Sequence, residues 1–249
     1  MQRYHPLIAR IFRPDHKPVY ESPRRKKHHH APGYFPTFKA VGSGVRVTSP
    51  LSADCLLHLD TNPTVLKISP YPFVVRYSVH DRYGIVGVKK HCPELAILHE
   101  DGRVVIMDVI PLAIQREGRL AKRGDAVAEA LFNSYGVAYS VMDERDLHIE
   151  PRLSNLRTIW RHHRDSDQGC NLAVQRAIDE IGLPTTIGDV RIAAADRAEI
   201  VRARNAANHW DAVFTELMVL AFRGAIHLDL SLPFSDQTVI TERQKREVF

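Results

Sequence analysis

Cysteine is scarce in this sequence, and its spacing does not suit cross-linking or zinc binding. Only three cysteines occur among 249 residues, Cys55, Cys92 and Cys170, and no two of them form a CxxC pair. A zinc knuckle needs closely spaced cysteine pairs, and a disulfide framework is expected from a larger, even set of cysteines. The composition therefore argues against both classes of fold and predicts reduced thiols, as expected for a cytoplasmic protein.

Long hydrophobic segments are also missing. The longest strongly apolar stretch spans only residues 212–222, whereas a membrane-spanning helix needs about 20 residues. The N-terminus has no apolar core followed by a small-residue cleavage site, which a secretory signal would require. The sequence therefore predicts a soluble, cytoplasmic protein with no membrane partner.

Acidic residues are outnumbered by basic ones, and part of the excess lies near the N-terminus. The chain holds 34 lysines and arginines against 29 acidic residues, which gives a formal net charge of +5. Within residues 1–45, the basic run Arg24, Arg25, Lys26 and Lys27 stands among histidine, proline and aromatic residues. Such a run is typical of a segment that binds a phosphate backbone, and equally typical of a solvated tail. We predict a basic N-terminal arm over residues 1–45, with double-stranded DNA as its partner.

Apolar spacing over residues 46–150 predicts a domain of both helices and strands. A helix should end before residue 62, because the helical spacing of leucines stops there. The strands predicted as a meander lie at residues 73–79, 85–88, 95–98 and 104–107. A helix over residues 117–135, ended by Gly136, then leads into a last strand over residues 137–142.

Beyond residue 151 the pattern becomes helical, with a domain boundary near residues 152–164 and a smaller domain over residues 165–242. The apolar face of its first helix contains Leu172, Ala173, Ile178 and Ile181. After a break at residues 182–184, Thr185 or Thr186 can cap a second helix, in which Ile187, Val190 and Ile192 should face inward.

A further helix over residues 210–222 precedes two short predicted strands, residues 226–230 and 238–241. Two helices separated by a short break and followed by a strand pair are typical of a helix-turn-helix domain with a wing. Similar spacing also occurs in helical domains that do not bind DNA, so the spacing alone leaves both interpretations open.

The turn Glu100–Asp101–Gly102 is the most informative local feature of the sequence. A three-residue hairpin loop with glycine in the left-handed conformation fixes the strand register, which sets Glu94 opposite Asp108. Two adjacent carboxylates can hold a divalent cation such as magnesium. Acidic residues are also common at strand ends without any ligand, so the register alone does not decide between these roles.

Five short segments are informative through their order and spacing, although none is specific by itself. They are residues 49–57, 62–65, 92–95, 108–111 and 216–232. Their arrangement resembles the TnsA family of transposon endonucleases, whose catalytic domain has the restriction-endonuclease-like PD-(D/E)XK fold. The resemblance implies an α/β protein with a restriction-endonuclease-like mixed sheet flanked by helices, plus a smaller C-terminal helical, winged-helix-like domain.

The resemblance also implies a site, and this sequence departs from it at two positions. Ser52 stands where the family carries its first metal-binding glutamate, and Ile110 stands where it carries a lysine. Glu94 and Asp108 keep acidic character, with the two acid types exchanged, and are the implied catalytic remnants and metal ligands. A neutral serine cannot replace the charge of a carboxylate beside a cation, and losing an electrostatic stabiliser costs about a hundredfold or more in rate.

Other side chains could fill the vacant roles, or could simply be solvated surface residues. These are Asp54, Gln115 and Lys122. The sequence accordingly predicts a DNA-binding accessory or regulatory protein on a TnsA-like scaffold with a degraded, inactive nuclease site that requires no cofactor. One alternative is a magnesium-dependent DNA endonuclease that cuts at mobile-element ends. Another is a protein-interaction module that assembles with a transposase-like or regulatory partner.

Overall fold

The computed structural model describes residues 4–21, 33–40, 43–80, 83, 86–115, 119–205 and 211–243. The chain divides into two compact units, which comprise Met1–Asp60 with Thr64–His148, and Thr61–Pro63 with Ile149–Phe249. The basic run of residues 24–27 lies outside the described residues, so its role remains a prediction. Among the helices of the described ranges, none combines the length and apolarity needed to cross a membrane.

The first unit is a mixed α/β structure. In chain order, its elements in the described ranges are α1 (Pro6–Arg10), β1 (Gly33–Pro36), β2 (Gly44–Val47), α2 (Pro50–Thr61), β3 (Val65–Pro70), β4 (Val75–His80), β5 (Val86–His91), β6 (Leu95–His99), β7 (Val104–Val109), α3 (Leu112–Gln115), α4 (Arg119–Tyr135), β8 (Ala138–Met142) and α5 (Glu144–Leu147). The helix predicted to end before residue 62 is confirmed as α2. The predicted α/β class is confirmed as well.

The main sheet of the first unit has four strands in the order β3-β6-β7-β8. The pairs β3–β6 and β6–β7 are antiparallel, whereas β7–β8 is parallel. A parallel pair needs a long crossover connection, which α4 supplies between β7 and β8. The sheet is therefore mixed, as the resemblance implied.

The predicted four-stranded meander is wrong. Strands β4 and β5 form a separate two-stranded ribbon, and β6 pairs with β3 rather than with β5. Strand β5 is exposed along nearly its whole length, so its valines do not form a core face. Alternating apolar residues indicate a strand but not its partner, which is why the pattern could not place β5.

Part of the segment interpreted as an arm is packed in the core of the first unit. Ile8 and Ile11 are fully buried and Phe12 nearly so, in a cluster that also contains side chains from β4, β6, β7 and α4. Removing these apolar side chains from water lowers the free energy of the folded state. The described residues around α1 therefore belong to the folded unit rather than to an arm.

The second unit is mainly helical. Its elements in the described ranges are α6 (Arg152–His162), α7 (Gln168–Ile181), β9 (Thr185–Thr186), α8 (Ile187–Ala194), α9 (Ala198–Asn205), α10 (Ala212–Phe222), β10 (Ile226–Leu228) and β11 (Val239–Glu242). The three strands form a small sheet in the order β10-β11-β9. Thr186 caps α8 by accepting a hydrogen bond from the amide of Asp189, which confirms one of the two predicted caps.

The prediction of the inward face of α8 is wrong at one position. Ile187 and Val190 are fully buried, but Ile192 is 78% exposed. Five residues along a helix of 3.6 residues per turn correspond to a rotation of about 140°, which carries Ile192 away from the face of Ile187. In α7, Leu172 and Ile181 are likewise exposed although an inward apolar face was predicted.

Helix α10 is the central helix of the second unit. Eight of its eleven residues are buried, including the acidic Glu216. The Glu216 carboxylate accepts hydrogen bonds from Ser166, the Asp167 amide and Asn171. A helix that is apolar on all sides is a core element, so α10 does not present a free face to a large ligand.

Candidate carboxylate site of the first unit

The β6–β7 hairpin places Glu94 and Asp108 next to each other. Gly102 adopts a φ of 83°, and the strands pair Leu95 with Met107 and Leu98 with Val104. This is the register that the turn predicted, because one further step outward brings residue 94 opposite residue 108. The Glu94 amide donates to Asp108 Oδ1 at 2.9 Å, and the Val109 amide donates to Glu94 Oε2 at 3.3 Å.

Asp108 is 5% exposed, and protein donors occupy both of its carboxylate oxygens. In addition to the Glu94 amide on Oδ1, Oδ2 accepts from His91 Nε2 and from the Tyr139 hydroxyl, each at 2.5 Å. Burial alone would raise the pKa of Asp108. The hydrogen bond and charge of His91, with the other two donors, outweigh burial and hold this pKa below its usual range.

Glu94 has the opposite electrostatic environment. Burial raises its pKa and the nearby charge of Asp108 adds to the increase, while hydrogen bonds from the Ser52 hydroxyl and the Val109 amide only partly offset it. The two carboxyl groups therefore differ in their affinity for a proton.

Ser52 lies in α2 beside Glu94, where the resemblance places a glutamate. It is 3% exposed, its amide donates to Ser49 Oγ at 3.1 Å, and its hydroxyl lies 3.0 Å from the same Ser49 oxygen. The structure therefore brings Ser52, Glu94 and Asp108 together. Ser52 contributes a neutral hydroxyl to the cluster rather than a third carboxylate.

Ile110 lines a cavity of about 300 Å³ on the same unit. Other lining residues include Gln115, Arg123 and Tyr139. Gln115 donates to the Ile110 carbonyl at 2.8 Å and to Asp143 Oδ2 at 3.1 Å. Its side-chain amide therefore links the backbone at Ile110 to the carboxylate of Asp143. Arg123 is the cation of this cavity, and its charge acts to lower the pKa of Tyr139, which burial and Asp108 raise.

Of the two remaining predicted substitutes, one has a histidine partner and the other is not described. Asp54 accepts from His148 Nε2 at 2.9 Å. The side chain of Lys122 falls outside the described residues. Within the described ranges, no three histidine, cysteine, aspartate or glutamate side chains are grouped as a metal site would need. As arranged, Asp108 offers a cation few free lone pairs, because three donors already use them.

Sequence reasoning missed His91, Tyr139 and Arg123. The signal available for His91 was its position immediately before the segment of residues 92–95. Tyr139 reaches Asp108 only because β8 pairs in parallel with β7, which sets Tyr139 beside Ile106. No local pattern indicates that contact, since the two residues are 31 positions apart in the chain.

Comparison with known proteins gives no assignment: no protein-family model matches the chain, and no curated protein matches it significantly. The likeness to the TnsA family therefore rests on the order of the motifs.

Proposed function

We propose that this protein binds double-stranded DNA on a TnsA-like nuclease scaffold without cutting it, as an accessory or regulatory component. The observation that carries the non-catalytic part of the proposal is the hydrogen bonding of Asp108. Three donors, from Glu94, His91 and Tyr139, use the carboxylate that a metal would need. The net charge of +5 and the order of the motifs support DNA as the partner.

The second unit supports the proposal through its element order. Helices α7 and α8, separated by a short break, are followed after α10 by the antiparallel pair β10–β11. This order is compatible with a winged-helix domain. Because α10 is buried, DNA contacts by this unit would come from the exposed face of α8, which carries Ile192, or from the strand pair. Arg191 of α8 is half-buried and already pairs with Asp211 and Asp236.

DNA binding is tested by fluorescence anisotropy with a labelled duplex over a series of salt concentrations. The logarithm of the affinity should fall linearly with the logarithm of salt, with a slope of about −0.9 for each phosphate contacted. Replacing residues 24–27 by glutamine should reduce that slope if the basic arm binds phosphates. No binding of the parent protein at low salt would contradict the proposal and favour the protein-interaction module.

Cleavage is tested separately by plasmid nicking with magnesium or manganese. We expect no nicking by the parent, because Ser52 adds no charge and Ile110 adds no cation beside the carboxylates. The assay also includes two double variants. One restores the family's residues with Ser52→Glu and Ile110→Lys, and the other removes both carboxylates with Glu94→Ala and Asp108→Ala. Nicking by the parent that disappears in the double alanine variant would establish an endonuclease instead.

A metal-dependent endonuclease is the second candidate, and Arg123 is the observation that favours it. Arg123 lines the same cavity as Ile110 and Tyr139, and in this candidate function its guanidinium would take the role of the family's lysine. In this case Arg123→Ala should abolish nicking. Arg103→Ala should not, since Arg103 pairs with Asp101 at the exposed hairpin turn and serves as the matched control.

A further inference from the structure

The β4–β5 ribbon carries two basic residues directly opposite each other. Its register pairs Arg76 with Lys90 and Ser78 with Val88, so the side chains of each pair project from the same face. Arg76, Ser78, Val88 and Lys90 are all exposed. This face of the ribbon is thus open to solvent and bears two positive charges at one end.

Like charges directly opposite each other in an antiparallel pair destabilise the pairing. Neither Arg76 nor Lys90 forms an ion pair with any residue that the structure describes. Between residues 75 and 91 the sequence has four lysines and arginines and a single acidic residue, Asp81. The described residues supply no ion-pair partner for these two side chains, so an anionic ligand would relieve the repulsion between them.

Toward the turn of the ribbon, the β5 half of the same face carries two valines, which pair with Ser78 and His80 of β4. Val86 and Val88 are 58% and 68% exposed, and the register places both on the face of Arg76 and Lys90. Both valines are exposed apolar side chains, and their burial against a ligand would stabilise a complex. The face therefore combines a cationic pair at one end with two exposed valines nearer the turn.

We propose that this ribbon face enters the major groove of duplex DNA, with Arg76 and Lys90 on phosphates and Val86 and Val88 against base edges. The inference rests on the proposed DNA binding and names the surface that performs it. The major groove of B-form DNA admits a two-stranded ribbon, and its thymine methyl groups accept apolar contacts. Duplex DNA supplies both the anionic and the apolar partner that this face lacks.

The ribbon also connects this surface to the carboxylate cluster. His91, next after Lys90, projects to the opposite side of β5 and binds Asp108 Oδ2. A phosphate on Lys90 would thus lie one residue along the strand from the side chain that holds Asp108. A DNA backbone bound along the ribbon would therefore lie close to the carboxylate cluster.

Lysine on an exposed strand can instead serve only to prevent edge-to-edge association of sheets. The test must separate this role from DNA binding. It compares two double variants. The first carries Arg76→Gln and Lys90→Gln. The second carries Arg13→Gln and Lys17→Gln, and it removes the same two charges from exposed positions elsewhere on the first unit. Each double variant is titrated with a labelled B-form duplex at several salt concentrations.

We expect the ribbon variant to lose about tenfold or more in affinity and its salt slope to weaken by about two, while the control retains both. Its melting temperature should match or exceed that of the parent, because a like-charge pair has been removed. Equal losses in the two variants would overturn the ribbon site and leave DNA binding intact. Unchanged affinity with new self-association would show edge protection instead, and no binding by the parent would remove the proposed function itself.

A second variant tests insertion into the groove. Val86→Thr with Val88→Thr keeps β-branched side chains and should lower the affinity without changing the salt slope, since no phosphate contact is lost. An A-form RNA duplex should compete poorly, because its major groove is too narrow for side chains to enter. Unchanged affinity of the valine variant, or equal competition by RNA, would overturn the groove assignment.

Discussion

Glu94 and Asp108 are close neighbours, yet the surrounding protein acts on them in opposite directions. Asp108 receives three hydrogen bonds and keeps its charge, while burial makes the charged form of Glu94 unfavourable. The sequence could predict that the two residues would meet, because the turn fixed their register. It could not predict their separate environments, because these depend on His91, Tyr139 and Ser52, which come from other elements.

Replacing Asp108 by asparagine should destabilise the protein by about 1–3 kcal/mol at pH 7, because buried donors lose a charged acceptor. The folded-state pKa of Asp108 is lowered, so its stabilisation is present above its ordinary value of 3.8 and is lost as the pH falls through the folded value. The deficit of Asp108→Asn should therefore shrink in acid. Urea unfolding of parent and variant from pH 7 downward measures this difference, and a deficit that is constant with pH would contradict it.

Replacing Glu94 by glutamine should give the opposite pH dependence. The folded-state pKa of Glu94 is raised above its ordinary value of 4.5, so its favourable contribution is present below that value and is lost as the pH rises through the folded value. Glutamine carries no charge to bury, so Glu94→Gln should become more stable relative to the parent as the pH increases. The same urea series tests this, and a difference between variant and parent that stays constant with pH would contradict it.

A secondary-structure element could be predicted from the sequence where its own residues determine its structure, without contacts from distant parts of the chain. The β6–β7 hairpin, α2 and the cap of α8 follow from local spacing and turn chemistry, and the structure contains all three. The partner of β5 and the outward direction of Ile192 were not predictable in this way. The partner depends on which distant strand is available, and the direction depends on where the core of the second unit lies.

The end of α10 offers a test of element packing. Gly224 has a φ of 72°, and a methyl group added there would lie 2.5 Å from Pro63 Cβ. Gly136 also has a positive φ, of 65°, but an added methyl group would meet no atom within 4 Å. Gly136→Ala should cost about 1 kcal/mol of unfolding free energy for the backbone alone, and Gly224→Ala about 2 kcal/mol or more.

Chemical denaturation of both variants compares these costs. A similar loss in the two glycine variants would mean that Pro63 yields to the added methyl group without appreciable strain.

For the chain as a whole, the boundary between the predicted basic arm and the folded core was the hardest feature to predict. Proline and basic residues made residues 1–45 resemble an arm throughout, yet Ile8, Ile11 and Phe12 are core residues. Composition averages over a segment, whereas burial is decided by individual side chains. The short α1 is too small to produce a clear helical period in the sequence.

Deleting residues 1–21 should therefore unfold the first unit rather than merely weaken DNA binding. Three buried side chains at roughly 1.5–3 kcal/mol each amount to about 5 kcal/mol or more, which is comparable to the whole stability of many domains. Replacing residues 24–27 by glutamine should leave the fold intact. Circular dichroism melting curves distinguish the two variants, and a deletion variant that melts like the parent would contradict the burial of α1.

We expect the parallel pairing of β7 with β8 to form late in the assembly of the first unit. The β6–β7 hairpin closes across a three-residue turn, whereas β8 can reach β7 only after α4 has crossed the sheet, and closing a longer loop is slower. The Tyr139 contact with Asp108 should accordingly form after the rate-limiting step. Tyr139→Phe should accelerate unfolding and leave the refolding rate almost unchanged in stopped-flow measurements, whereas a slower refolding rate would place β8 in the folding nucleus.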